Sequence, residues 1–145
     1  MALAFRRRIR HPFYPALKPA PAEAAPSISP ALYGAFEDLS LASKMGMRVS
    51  RAVFPLRRPA NPFLTESQRD ALWDMFQVPI YALLLDARGL VVGWECETQE
   101  GIHLRDDYSA ELLFGNIVST LCECGRPGPR LMPPKQDVDA ERIAG

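Results

Sequence analysis

The sequence predicts an α+β domain in which one or two N-terminal helices pack on a small, mostly antiparallel, zinc-stabilised sheet. Three observations support this class: helical spacing of apolar residues in the first half, strand-like apolar runs after Gln77, and cysteine and histidine residues in the strand-rich half. A chain of 145 residues that is 48% hydrophobic can build one core, but hardly two. We therefore expect one domain with a tail at each end.

The charge balance excludes some classes of protein. The 17 basic and 17 acidic side chains cancel, so no overall field draws the chain to nucleic acid or to a membrane. No apolar run approaches the roughly 20 residues that a membrane span needs. The 3 cysteines are an odd number, which suits a metal in a reducing compartment better than a disulfide framework. We expect a cytoplasmic protein.

The proline distribution predicts the domain boundaries. Residues 1–28 combine prolines, alanines and basic side chains, which predicts a disordered basic leader. Residues 29–132 then form the zinc-binding α+β domain, and residues 133–145 a flexible tail. The leader carries Phe5, Phe13 and Tyr14 among its arginines, so contact with nucleic acid or a protein is an option, although a solvated tail is favoured.

Two helices are predicted. Ser29-Pro30 is typical of a helix start, and Gly46 of a helix end. Residues 47–54 fit either a continued helix or an irregular segment that the prolines at 55, 59 and 62 end. Thr65 and Gln68 have the spacing of a capping box, which predicts a second helix up to Gln77. The apolar residues of the first helix that share one face are Leu32, Phe36, Leu39 and Ala42.

Strands are predicted after the second helix. Residues 78–85 are a continuous apolar run, residues 86–89 have turn chemistry, and residues 90–96 are a second β-prone run, so the three together predict a hairpin. Residues 102–104 predict a short strand. Residues 111–121 predict a longer strand with Leu113, Ile117 and Val118 buried.

The candidate ligands of one structural zinc ion are Cys96, His103, Cys122 and Cys124. Three thiolates and one imidazole form a closed tetrahedral set that leaves no position for water or substrate. Gly125 permits a tight turn after the last cysteine, and Arg126 can offset the thiolate charge. The other histidine, His11, lies in the leader, and we expect its loss to change neither metal content nor stability.

Other interpretations of these residues stay open. The gaps between the ligands differ from those of a standard zinc finger, so the cysteines could be core residues or free thiols and His103 an ordinary histidine. A nucleophilic cysteine with His103 as base is less favoured, because the same pair supplies a metal site. We expect the acidic residues near the hairpin to be solvated rather than catalytic. They are Asp86, Glu95, Glu97, Asp106 and Asp107.

Several short motifs carry a family resemblance. Residues 78–81 (VPIY), 94–97 (WECE), 100–103 (EGIH), 122–126 (CECGR) and 129–131 (PRL) resemble, in order, part of the phenylacetate-CoA ligase branch of adenylate-forming enzymes. Some members of that branch hold zinc through a cysteine, a histidine and a later Cys-x-Cys. The resemblance therefore implies the same four ligands in this chain.

The departures from that family predict a protein that is not an enzyme. Residues 83–89 stand where the family places its adenylate and magnesium signature, and the phosphate loop and lid lysine are absent from the sequence. Phosphoryl charge then has no stabilising groups. We expect a non-catalytic zinc-binding interaction or scaffold protein with a protein partner. The alternatives are an accessory or regulatory subunit of an acyl-CoA-forming or acyl-adenylate-forming enzyme, and a small nucleic-acid-binding zinc protein.

Overall fold

The computed structural model describes residues 9–24, 27–108 and 116–133. Within these ranges, eight strands form one mixed sheet in the order β1-β2-β3-β4-β5-β6-β8-β7. The helices are α1 (Phe36–Lys44) and α2 (Glu66–Phe76), with a 3-10 turn at Ala22–Ala24. The strands are β1 (Ala20–Pro21), β2 (Ile28–Gly34), β3 (Arg48–Arg57), β4 (Leu83–Leu85), β5 (Val91–Trp94), β6 (Ile102–Leu104), β7 (Asn116–Val118) and β8 (Arg130–Met132).

The sheet has a parallel half and an antiparallel half. Strands β1 to β4 pair in parallel, and helices α1 and α2 make the connections from β2 to β3 and from β3 to β4. The four remaining pairings are antiparallel. The expected mixture of helices and a mostly antiparallel sheet is therefore confirmed. The sheet is larger than expected, and the helices lie between strands rather than ahead of them.

The prediction of a helix starting at Ser29-Pro30 is wrong, because residues Ile28–Gly34 form strand β2. Pro30 cannot donate a backbone hydrogen bond, and it lies where the pairing with β3 shifts register, which is where a strand tolerates proline. The Ser29 hydroxyl donates to the carbonyl of Ala31 at 2.8 Å instead of capping a helix. The helix begins only at Phe36.

Strand β3 occupies the segment that was expected to be helical or irregular. Its central residues alternate between the two faces of the sheet: Val53 packs in the cluster beneath the helices, whereas Ala52 and Phe54 pack in the cluster on the opposite face. The strand continues through Pro55, which was expected to end it. Both parallel connections were missed because short apolar segments do not reveal their distant partners.

Helix α2 confirms the predicted capping box. The backbone N–H of Gln68 donates to the Thr65 hydroxyl, and the N–H of Thr65 donates to the Gln68 side chain, both at 3.0 Å. Leu72 and Phe76 are buried against the sheet. The helix ends at Gln77, whose φ of 54° places it in the left-handed region.

The N-terminal segment covers the face of the sheet opposite the helices. Ile9 is buried in the cluster that contains Phe54 and Trp94, and Phe13 and Leu17 pack against that cluster. The expectation of a disordered leader over residues 1–28 is therefore wrong for residues 9–24. The proline-rich composition was misleading, because proline and extended backbone also suit a segment that crosses a sheet through side-chain contacts.

The predicted hairpin of β4 and β5 is confirmed, and so is the short strand β6. In β7 the prediction of burial is wrong, because Ile117 on this edge strand is 44% exposed. Leu113 lies outside the described residues. No helix in the described part of the chain is long and apolar enough to cross a membrane.

Candidate metal centre

The four predicted ligands converge at one end of the antiparallel half. Cys96 follows strand β5, and His103 lies within strand β6, where it pairs with Trp94 of β5. Cys122 and Cys124 lie in the turn between β7 and β8. Because β6 pairs with both β5 and β8, these segments meet, and all four donor atoms lie within 4.8 Å of one another.

Two of the distances between donor atoms are close to those of a tetrahedral metal site. With Zn–S bonds of about 2.3 Å and a Zn–N bond of about 2.0 Å, the edges of the tetrahedron are about 3.8 Å between sulfurs and about 3.5 Å between sulfur and nitrogen. The Sγ atoms of Cys96 and Cys122 are 3.7 Å apart, and the Sγ of Cys124 is 3.6 Å from the Nε2 of His103. Two of the six edges of the cluster are therefore close to these lengths, and the others are at most 4.8 Å.

The site is suited to a bound ion rather than to a disulfide. All three cysteines are free thiols, and the separation between Cys96 and Cys122 far exceeds the roughly 2 Å of a sulfur–sulfur bond. Cys96, Cys122 and His103 are buried, whereas Cys124 is half-buried. Three of the donors are thus shielded from water, and the fourth lies at the edge of the site.

Two glycines allow the strands and turn to approach this closely. A Cβ on Gly93 would lie 2.8 Å from a methyl group of Ile102 and 3.1 Å from the carbonyl oxygen of His103. Because Gly93 has no Cβ, strand β5 can lie against strand β6, which carries His103. Gly125 has a φ of 87°, and its N–H donates to the carbonyl of Cys122 at 2.9 Å, which closes the turn holding both cysteines.

The pKa values of two ligands favour the forms that bind a metal. Burial raises the pKa of Cys122, but the backbone N–H of Cys124 and the hydroxyl of Thr98 outweigh it and bring this pKa to about 7. Burial, together with the positive charges of Arg130 and Arg126, lowers the pKa of His103. A thiolate and a neutral imidazole are therefore both accessible near neutral pH. Burial raises the pKa of Cys96, whose thiol needs the cation itself to ionise.

Thr98 supports two of the ligands. Its Oγ1 lies 3.0 Å from the Sγ of Cys96 and 3.6 Å from the Sγ of Cys122. It also accepts a hydrogen bond from the N–H of Glu100 at 3.3 Å, which fixes its orientation. A hydroxyl between two sulfurs can donate to a thiolate and orient it, which is the usual role of groups just outside a metal's ligands.

An ion pair borders the site on its exposed side. Arg126 donates to both carboxylate oxygens of Glu97 at 3.0 Å, and the Tyr14 hydroxyl donates to Glu97 at 2.7 Å. The bond from Tyr14, reinforced by Arg126, lowers the pKa of Glu97 to about 2. Glu97 and, more weakly, Cys124 raise the pKa of Arg126. The positive charge of Arg126 thus lies near the cysteine sulfurs as well as beside the carboxylate of Glu97.

Of the other acidic residues, Glu95 differs from expectation. It is buried, its carboxylate is 2.7 Å from the guanidinium of Arg69, and it accepts the backbone N–H of Ala82 at 2.7 Å. Burial raises its pKa, and these partners oppose that shift. Its contacts are structural, joining helix α2 to the strands. Asp107 is exposed as expected, paired with Arg105 at 3.0 Å.

No protein-family model matches this chain, and no curated protein matches its sequence. The resemblance to the phenylacetate-CoA ligase branch therefore stays a prediction. The case for the site depends on the geometry of its own residues.

Sequence reasoning missed two groups at the site. Thr98 stands two residues after Cys96, and a hydroxyl at that distance from a ligand is a signal that could have been used. Phe13, whose ring is 4.9 Å from the ring of His103, gives no local signal, because its position depends on how the N-terminal segment folds back.

The first prediction concerns the ligands. Cys124→Ser and His103→Ala should each lower zinc content well below one per chain and lower the melting temperature, because each removes a donor from a site whose binding energy is on the order of 10 kcal/mol. Metal analysis and thermal unfolding measure both effects.

His11→Ala is the matched histidine control. His11 is fully buried and hydrogen-bonded to the carbonyl of Glu95, so the variant should lose about 1–3 kcal/mol of stability but keep its zinc. This corrects the expectation that it would change nothing. Loss of zinc from His11→Ala, with zinc retained by His103→Ala, would contradict the assigned ligands.

The second prediction concerns the hydroxyl of Thr98. Thr98→Val keeps the shape of the side chain but removes its hydrogen bond to sulfur, so zinc affinity should fall about 10-fold or more without loss of the site. Thr98→Ser retains the hydroxyl and should keep most of the affinity. Competition with a chelator of known affinity measures the zinc affinity of both variants. Equal zinc affinities of Thr98→Val and Thr98→Ser would show that the hydroxyl has no role.

Proposed function

We propose that this chain is a non-catalytic zinc-binding interaction or scaffold protein of the cytoplasm, with one structural zinc ion held by Cys96, His103, Cys122 and Cys124. The observation that supports it best is the closed donor set: three sulfurs and one imidazole nitrogen, all within 4.8 Å of one another. A tetrahedral zinc with four protein ligands has no position for a water molecule or a substrate.

A structural role follows from where the ligands lie in the chain. They come from three segments, after β5, within β6 and between β7 and β8, so one ion ties together the end of the sheet. The binding energy of such an ion, on the order of 10 kcal/mol, is comparable to the roughly 5–15 kcal/mol stability of a whole domain. The antiparallel half is therefore expected to depend on the metal.

The exposed edge strand beside the metal site favours a role in binding a partner over a role limited to stabilising this chain. Ile117 is 44% exposed in β7, and Leu121 is 66% exposed in the turn next to Cys122. Strand β7 pairs only with β8 among the described strands, so its other side offers backbone groups and apolar side chains together. A protein partner of unknown identity is part of this proposal.

The third prediction separates a closed structural site from an open catalytic one. Replacing zinc by Co²⁺ should give the visible spectrum of a tetrahedral ion with thiolate ligands, and azide added in excess should leave it unchanged, because no position is open. Removing the metal with a chelator should unfold the antiparallel half, as seen in backbone amide exchange.

Two results would contradict this proposal. A spectrum that shifts when azide is added would show an open position and favour catalysis. Unchanged protection of the amides of β5, β6 and β8 after metal removal would show that the metal is not structural.

A further inference from the structure

The N-terminal segment passes the metal centre on its course over the sheet. Residues 9–17, here called the strap, run along the face opposite the helices and bring Phe13 and Tyr14 to the ligands. The strap is the only described segment ahead of β1, so its contacts with the centre join parts of the chain that are distant in sequence.

The ring of Phe13 covers the histidine ligand. Its centroid is 4.9 Å from that of His103 with the planes at 75°, and 5.8 Å from a ring of Trp94 with the planes at 81°. Both are edge-to-face contacts, which aromatic rings prefer. The imidazole therefore has an apolar ring packed on it, which limits the approach of water or of a competing ligand from that side.

The residues that flank the cysteine ligands contact the outer face of the Phe13 ring and the neighbouring Tyr14. The guanidinium of Arg126 lies 4.0 Å from the centroid of the Phe13 ring. The same Arg126 bonds Glu97, and Glu97 accepts the hydroxyl of Tyr14. Glu97 follows Cys96, and Arg126 lies two residues after Cys124. The strap is thus clamped by the two turns that carry thiolates.

The strap is anchored on both sides of Phe13 and Tyr14. Ile9 is buried in the cluster around Phe54, and Leu17 packs against the same cluster. His11 is fully buried, with Nε2 bonded to the carbonyl of Glu95 and Nδ1 accepting the N–H of Phe13 at 3.1 Å. Lifting of Phe13 from the centre therefore breaks the hydrogen bond from its N–H to His11, whereas the apolar contacts of Ile9 and Leu17 lie on either side of it.

We propose that the strap is a cover that controls the exchange of the metal: zinc leaves or enters when the middle of the strap, Phe13 and Tyr14, lifts, and bound zinc in turn fixes the strap. This inference rests on the proposed zinc site. The coupling is reciprocal, because a strap that docks better on the metal-bound form must raise metal affinity by the same factor. The coupling has a structural basis in these contacts. Glu97 and Arg126 hold Tyr14 and Phe13 only while the turns that carry the cysteines keep their positions.

The fourth prediction tests the cover with the full-length, zinc-loaded chain and an excess of a chromogenic chelator. Phe13→Ala should release zinc at least 10-fold faster than the unmodified protein while still binding one zinc per chain. Phe36→Ala is the matched control, because Phe36 is also partly buried but lies on the opposite face of the sheet, where it begins helix α1. It should lose stability without a comparable change in the rate of release.

A smaller change tests the cover in case Phe13→Ala does not fold. Tyr14→Phe removes only the hydroxyl that bonds Glu97, and it should release zinc faster than the unmodified chain but more slowly than Phe13→Ala. The reciprocal effect is measured by amide exchange: on chelation, the N–H groups of Tyr14 and Leu17, bonded at 3.0 Å to His11 and Tyr14 carbonyls, should lose protection.

The outcomes separate this inference from the proposed function. Zinc release from Phe13→Ala no faster than from Phe36→Ala, in chains that each bind one zinc, would overturn the cover and leave the zinc site intact. Unchanged protection of the strap amides after chelation would overturn the coupling. A chain that binds no zinc at all would remove the basis of both proposals.

Discussion

The convergence of three thiols and one imidazole on a single point is the constraint on which the antiparallel half depends. Three thiolates at the spacing seen here repel one another strongly unless a cation lies between them. On one face of this half, the buried apolar residues in the described chain are Leu84, Val92, Ile102, Leu104 and Leu131. On the other face, Leu83, Leu85 and Trp94 belong to the cluster that the strap covers. A bound metal would add to these apolar contacts at the end of the antiparallel half.

The surroundings of the site follow from the same constraint. Gly93 and Gly125 allow strand and turn to bring the donors together, and Thr98 lies between two sulfurs. Arg126 places positive charge beside the thiolates and, through Glu97, connects the site to the N-terminal strap. The strap thus belongs to the metal centre, although its sequence lies more than 80 residues from Glu97. The polar residues beside the cysteines therefore connect the first described segment of the chain to the turn between β7 and β8.

The features that could be predicted from the sequence are those that depend on residues close together in the chain. The capping box at Thr65 and the turn after β4 are set by residues near one another, and the clustering of three cysteines with one histidine follows from the chemistry of these side chains. Strand β2 was missed because Ser29-Pro30 suits a helix start as well as an irregular strand, and only the pairing with β3 decides. The burial of His11 could not be predicted, since it depends on a contact with Glu95 that no periodicity reveals.

X-ray absorption at the zinc edge of the purified chain counts the atoms bound to the metal and so tests the assigned ligands. We expect one zinc per chain, with three sulfurs at about 2.3 Å and one nitrogen at about 2.0 Å. The sulfur count should fall to two in Cys124→Ser if that variant retains metal. A chain purified without zinc, or a metal bound by oxygen and nitrogen alone, would show that the four residues do not form a zinc site.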